Sequence, residues 1–116
     1  MKLYQYPKCS TCRKAIKFLE ERGIEYESID ITQQPPTKPE LAIMLSSYSG
    51  EIRKLFNTSG VQYRELNMKE KLPTMSSQDA IDLLAGNGKL IKRPFLVDGN
   101  NGIVAFKEEL WSGFLK

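Results

Sequence analysis

The only two cysteines of this chain stand in Tyr6-Pro7-Lys8-Cys9-Ser10-Thr11-Cys12-Arg13-Lys14, with two residues between them. That spacing suits thiol–disulfide chemistry, in which a thiolate, not a thiol, is the nucleophile. An ordinary cysteine with a pKa of about 8.5 is only about 3% thiolate at neutral pH. A cysteine just before the first turn of a helix gains from unpaired N–H groups and from the positive end of the helix dipole. Lys8, Arg13 and Lys14 add positive charge nearby. A pKa lowered by about two units corresponds to about 2.7 kcal/mol and would make most of Cys9 thiolate. Cys12, one turn further on, can attack a mixed disulfide held on Cys9 and resolve it into a Cys9–Cys12 disulfide. Ser10 and Thr11 fill the turn, where their hydroxyls can join the helix N–H groups in binding an anion. Plainer readings stand beside these. Cys9 fits as a small residue at a helix start, and Cys12 falls on the apolar face of the helix it enters.

The elements that must position the pair follow from patterning. Leu3 to Tyr6 reads as a strand and Ser10 to Arg22 as a helix, with Cys12, Ala15, Ile16 and Leu19 on its apolar face and Gly23 as its stop. Ile24 to Ile31 alternates apolar and polar residues, which predicts a second strand and hence a β-α-β unit with a parallel pair. Gln33-Gln34-Pro35-Pro36 breaks the chain, and Thr37 with Glu40 forms a capping box for a helix whose apolar face is Leu41, Met44, Leu45 and Tyr48 and whose end is Gly50. Glu51 to Asn57 and Tyr63 to Glu70 read as short helical stretches. Ser76 to Asp79 starts another helix, with Ala80, Ile81, Leu83 and Leu84 apolar and Gly86 and Gly88 beyond its end. Lys92 to Asp98 reads as a strand, Asp98 to Gly102 as a hairpin turn and Ile103 to Phe106 as the returning strand. Lys107 to Leu115 closes the chain as a helix with Leu110, Trp111 and Phe114 inward.

Composition bounds the function. A chain of 116 residues suits one domain, 1–116, with a helical insertion at about 37–90. A net charge of +3 suits an anionic small ligand or an acidic protein surface, and without a basic stripe interleaved with aromatics it gives no case for direct nucleic-acid binding. No apolar run approaches the roughly 18 residues of a spanning helix, and the N-terminus carries no secretory pattern, so no membrane is expected and the reading is cytoplasmic. Structural disulfides are rare there, so the cysteine pair reads as catalytic, redox-sensing or metal-binding. With no histidine in the chain, a structural zinc site would lack ligands, and no metal is expected.

The order of elements, the Cys-x-x-Cys at the first strand-to-helix junction and the proline opening the third strand resemble the thioredoxin-like α/β fold, β-α-β, a helical middle, then β-β-α on a small mixed sheet. More narrowly, the chain resembles the family that joins glutaredoxin-coupled arsenate reductases with the Spx regulators of RNA polymerase, and within it a Cys-x-x-Cys branch of unassigned function. The resemblance rests on Tyr4, Pro7 to Lys14, Pro35-Pro36-Thr37, Asn57-Thr58-Ser59-Gly60, Tyr63-Arg64-Glu65-Leu66, Leu66 to Lys71 and Leu90-Ile91-Lys92-Arg93-Pro94. It implies that Cys9 is the nucleophile and that Arg93, whose planar fork suits an oxyanion or a carboxylate, contacts both oxyanion and thiolate. It also implies that Pro94 follows a cis bond and presents backbone groups to an extended thiol such as glutathione. A surface ion pair is the plainer role for Arg93. No bound cofactor is implied; the reductant would be glutathione with glutaredoxin, or thioredoxin.

Three positions depart from the arsenate reductases. Gln5 stands where they keep a histidine, Asn57 where they keep a second arginine, and Phe106, with Lys107 adjacent, where they keep a third. Each charge-assisted contact contributes about 1.5–3 kcal/mol, so losing two predicts oxyanion binding weaker by several hundredfold or more. The sequence therefore points to a thiol–disulfide oxidoreductase resembling arsenate reductase but ill-equipped for arsenate. The alternative is an Spx-like redox sensor that docks on the C-terminal domain of the polymerase α subunit. Gly50 matches the glycine at that contact, although it also reads as a helix terminator, and Ser59 stands where Spx proteins have an arginine.

Overall fold

The computed structural model describes residues 1–115. Its first strand, β1 (Lys2–Gln5), is buried on both faces: Leu3 and Tyr4 are neighbours in sequence, point to opposite sides of the sheet and are both fully buried. Helix α1 (Ser10–Glu21) lays Cys12, Ala15, Phe18 and Leu19 inward, at helical spacing. Its end is closed by Gly23, at φ +65°, with the Gly23 N–H donating to the Glu20 carbonyl (3.1 Å) and the Ile24 N–H to that of Leu19 (3.0 Å). Because Ile24 is held by this cap, the second strand is shorter than the expected Ile24–Ile31. Strand β2 spans Glu27–Asp30 and runs parallel to β1, with Lys2 opposite Glu27 and Gln5 opposite Asp30.

Every element between β2 and the next strand is helical. Helix α2 (Lys38–Ser47) starts at Thr37, whose Oγ1 accepts from the Glu40 N–H while Glu40 Oε1 accepts from the Thr37 N–H (2.9 Å). A 3₁₀ turn covers Ile52–Leu55. The expected Tyr63–Glu70 stretch is two helices, α3 (Val61–Glu65) and α4 (Met68–Lys71), because Asn67 adopts φ +54° and breaks the helical path between them. A 3₁₀ turn at Leu72–Thr74 leads to α5 (Ser77–Ala85), capped by Ser76, and another at Gly88–Leu90 returns the chain to the sheet. Gly88 is required by close approach: a Cβ there would overlap the carbonyl oxygen of Ile31.

Strand β3 (Phe95–Asp98) pairs antiparallel with β1, and β4 (Asn101–Val104) pairs antiparallel with β3, so the sheet order is β2-β1-β3-β4. This is the mixed sheet of the thioredoxin-like fold. Both late strands differ from their expected bounds. Lys92 to Pro94 precede β3, and Arg93-Pro94 is a cis peptide. Only Gly99 and Asn100 lie between the paired Asp98 and Asn101, and β4 ends at Val104 because Ala105, at φ +60°, leaves the extended path. Helix α6 (Glu108–Phe114) buries Trp111, whose Nε1 donates to the Ala105 carbonyl (2.9 Å), whereas Leu110 is 59% exposed and not inward as its pattern implied.

The sheet separates two apolar clusters. Leu3, Leu96 and Ile103 face α1 and α6, while Tyr4, Phe95 and Val104 face the helical middle with Leu41, Met44 and Leu84. No helix among the described residues is long and apolar enough to cross a membrane.

Candidate active site

The carboxyl end of β1 delivers the cysteine segment. The Cys9 N–H donates to the Tyr6 carbonyl (3.0 Å), which folds Tyr6 to Cys9 into a turn, and the Arg13 N–H donates to the Cys9 carbonyl (3.1 Å) as the first bond of α1. Cys9 is thereby the N-cap residue. Its sulfur accepts the Cys12 N–H at 3.3 Å, the bond that a capping oxygen makes in other helices. Cys9 is partly exposed and Cys12 fully buried; both are free thiols.

This geometry separates the two acidities. Burial pushes the Cys9 thiol up, but hydrogen bonds from the Cys12 thiol and backbone N–H, together with a hydrogen bond from the Arg93 guanidinium and its charge, outweigh burial and bring Cys9 below the ordinary range. Cys12 is pushed up to about 12, first by burial and then by its hydrogen bond to Cys9, against a smaller opposing effect of the Tyr6 backbone. The first thiol is thus prepared to be an anion and the second to keep its proton.

Arg93, more than eighty residues away in sequence, reaches this site because β3 lies beside β1. Its Cζ sits 4.8 Å from the centre of the Tyr6 ring. Tyr6 and Arg93 form one wall of a cavity of about 410 Å³, completed by Asn57, Gly60, Val61, Gln62, Glu65 and Lys89. Pro94 is buried, and its carbonyl is taken by the Ala105 N–H (3.0 Å). Ser10 is exposed and Thr11 half-buried at the start of α1. The exposed Arg13 turns back to donate from Nη1 to the Pro7 carbonyl (3.0 Å).

The remaining candidates lie apart. Lys107 precedes α6 and lines a larger groove of about 830 Å³, which it shares with Gly50, Arg53, Lys54 and Lys92 and not with Tyr6 or Arg93. Gly50 closes α2 at φ +82°, its N–H donating to the Leu45 carbonyl (2.9 Å), and it is exposed. Of Gln5, Asn57 and Phe106, only Asn57 faces the Tyr6–Arg93 cavity. Gln5 donates to Ser28 Oγ (3.2 Å) on the neighbouring strand, and Phe106 packs edge-on against Phe18 and Trp111. Among the described residues, no cluster of His, Cys, Asp or Glu could hold a metal ion.

Sequence patterning missed one side of the site. Tyr6 was visible only in the cysteine segment and as the end of the expected first strand, Glu65 only within the Tyr63-Arg64-Glu65-Leu66 motif, and Gln62 and Lys89 carry no signal of their own. The helical middle folds them against the β1 end, so they become neighbours only in the tertiary structure.

The ArsC family model matches residues 4–114. An uncharacterized protein of Bacillus subtilis (strain 168), YusI, is 53% identical over 106 residues, which cover 91% of this chain and 90% of that protein. The global transcriptional regulator Spx of Enterococcus faecalis (strain ATCC 700802 / V583) is 30% identical over 113 residues, covering 97% of this chain and 84% of Spx. The solved structure of a possible arsenate reductase from Streptococcus mutans UA159 superposes with a TM-score of 0.87 at 39% identity, covering 96% of each chain.

Proposed function

The chain belongs to the ArsC family, and from that premise we propose that it is a cytoplasmic thiol–disulfide oxidoreductase in which Cys9 is the nucleophile and Cys12 the resolving thiol. The observation that carries this reading is geometric: the partly exposed Cys9 sulfur caps the N-terminus of α1 and accepts the Cys12 N–H (3.3 Å), with the free thiol of Cys12 buried one turn behind it.

The steps follow from the geometry. The Cys9 thiolate attacks one sulfur of a substrate disulfide; a bond forms between the two sulfurs, and the other substrate thiolate leaves and takes a proton from water. Once Cys9 is in a mixed disulfide its negative charge is gone. Two of the influences that raise Cys12, its hydrogen bond to the Cys9 thiolate and repulsion from it, vanish, while those of the Tyr6 backbone and Arg93 persist. Cys12 becomes more acidic at that moment, gives its proton to water and attacks the Cys9 sulfur. The Cys9–Cys12 disulfide forms and the bound substrate thiolate is released. Turnover then requires an external thiol reductant, glutathione with glutaredoxin, or thioredoxin, to return two electrons to the pair.

Arsenate is a poor fit to this reading. Gln5 is engaged with Ser28, Phe106 is packed on aromatic rings, and Arg93 is the one arginine among the described residues lining the Tyr6 cavity. A coupled assay with arsenate, glutathione and glutaredoxin is expected to give no turnover above background; robust turnover would reverse this part of the proposal. A Cys12→Ser variant is expected to accumulate its substrate as a stable mixed disulfide on Cys9, and failure to trap any thiol from a cell extract would count against the enzyme.

A second reading, a redox-sensing regulator that docks on the RNA polymerase α subunit, is favoured by the exposure of Gly50 beside a groove rimmed by Arg53, Lys54, Lys92 and Lys107. Its test is retention on the α C-terminal domain. Gly50→Arg should abolish retention while Gly50→Asn, which tolerates the positive φ, keeps the turn intact. No retention of the wild-type chain would end this reading.

A further inference from the structure

We propose that Tyr6 is a positioning residue whose ring holds the Arg93 guanidinium in place, so that the arginine's donor fork is aimed toward the Cys9 sulfur before any substrate arrives. This rests on the reading that Arg93 acts on the Cys9 thiolate.

The need for such a residue comes from what surrounds Arg93. Among the described residues it makes no ion pair and donates no hydrogen bond to an oxygen acceptor, although its charge acts on the Cys9 sulfur. An unpaired arginine side chain is rotamer-rich, and one left free would spend most of its time in solvent. The contact that restrains it is the face of Tyr6, 4.8 Å from Cζ. A planar guanidinium lying over a ring keeps its N–H groups in its own plane, where they can meet an anion at the edge of the stack.

Tyr6 is itself well fixed. It is half-buried against the apolar cluster of the helical middle, and its carbonyl is tied to the Cys9 N–H (3.0 Å). The same residue therefore sets where the Cys9 backbone lies and where the guanidinium lies, which couples nucleophile and cation through one rigid group. Pro7, next in sequence, holds Tyr6 in an extended conformation and limits the freedom of that link.

The pH dependence of Cys9 alkylation by iodoacetamide tests this, because a merely structural role would not move it. Tyr6→Leu is expected to slow alkylation below neutral pH by about threefold and to shift the midpoint upward, while Tyr6→Phe, which keeps the ring face, retains the wild-type profile. In an Arg93→Leu background, Tyr6→Leu should have no further effect. An unchanged profile in a folded Tyr6→Leu protein, or an equal drop in the Arg93→Leu background, would overturn the proposal. If Arg93→Leu shifts the profile and Tyr6→Leu does not, this inference alone fails; if Arg93→Leu leaves it unchanged, the reading of Arg93 fails and takes this one with it. Should Tyr6→Leu not fold, the wild-type protein still decides. The Arg93 side-chain proton resonances should lie upfield under the Tyr6 ring current and return downfield in Tyr6→Phe only if the stack is lost; unshifted resonances in the wild type would reject the contact.

Discussion

Cys9 and Cys12 are the same residue type one helical turn apart, yet they hold their protons over different pH ranges. The outer sulfur accepts the Cys12 N–H and feels the Arg93 guanidinium, while the inner one is buried and keeps its proton. The consequence is measurable in the redox potential of the pair. Below the pKa of Cys9 the disulfide takes up two protons with its two electrons, and the potential should fall by about 59 mV per pH unit. Above that pKa, and up to about 12 where Cys12 titrates, only Cys12 is protonated on reduction and the slope should halve to about 30 mV. The break should come below the ordinary cysteine range of about 8.5. Potentials measured by equilibration against glutathione would reveal it, and a single slope through neutrality would contradict the separation of the thiols.

Helix α2 and the Gly88–Leu90 turn hold the frame around the site. Helix α2 is anchored by a capping box, and the capping Glu40 also accepts from the buried Tyr4 hydroxyl (2.6 Å) on β1 and lies 3.4 Å from Lys2 Nζ. Thr37→Ala should cost about 1 kcal/mol, lowering the melting temperature by about 4 °C. Burial raises the Glu40 carboxyl, but hydrogen bonds from Tyr4 and Thr37 and the Lys2 charge outweigh it and hold it below the usual range. Its folded pKa being depressed, Glu40 contributes stability that is fully present above its unfolded pKa and lost as pH falls through the folded value. Glu40→Gln should therefore flatten the acid limb of a stability–pH curve, and an unchanged limb would argue against this role. The Gly88–Leu90 turn packs its backbone on Ile31 at the end of β2. Gly88→Ala has no room there and should destabilise by about 2 kcal/mol or more, read as a lower urea midpoint.

At the scale of the molecule, the two faces of the sheet divide the work. One face, with α1 and α6, carries the cysteine helix; the other carries the helical middle that builds the far wall of the cavity. Near Cys9 and on the cavity lie Lys8, Arg13, Lys14, Lys89 and Arg93, against Glu65 on the cavity wall and Glu20 and Glu21 at the far end of the helix. That concentration should attract anionic disulfides over long range. The rate of Cys9 with a dianionic aromatic disulfide should fall as salt is raised, because the screening length shrinks from about 30 Å at 0.01 M to about 10 Å at 0.1 M. The rate with a neutral pyridyl disulfide should not change. Equal salt dependence of the two would show that the field does not steer.

The sequence alone determined the local chemistry and most of the frame. The Cys-x-x-Cys at a strand-to-helix junction, the capping box at Thr37 and Glu40 and the thioredoxin-like order of elements were legible because each is written in neighbouring residues or in a short period. Strand and helix ends were less so. The Gly23 cap claimed Ile24 from β2, and the left-handed Asn67 and Ala105 broke a helix and a strand that patterning ran through, since a single backbone angle has no periodicity to reveal it. Tertiary structure decided which cations meet the thiol. Arg93 stacks on Tyr6 and acts on Cys9, whereas Lys107 lines another groove. A pattern in one segment fixes what that segment can become, but the field at a sulfur is the sum over groups that only the folded sheet brings within a few ångströms.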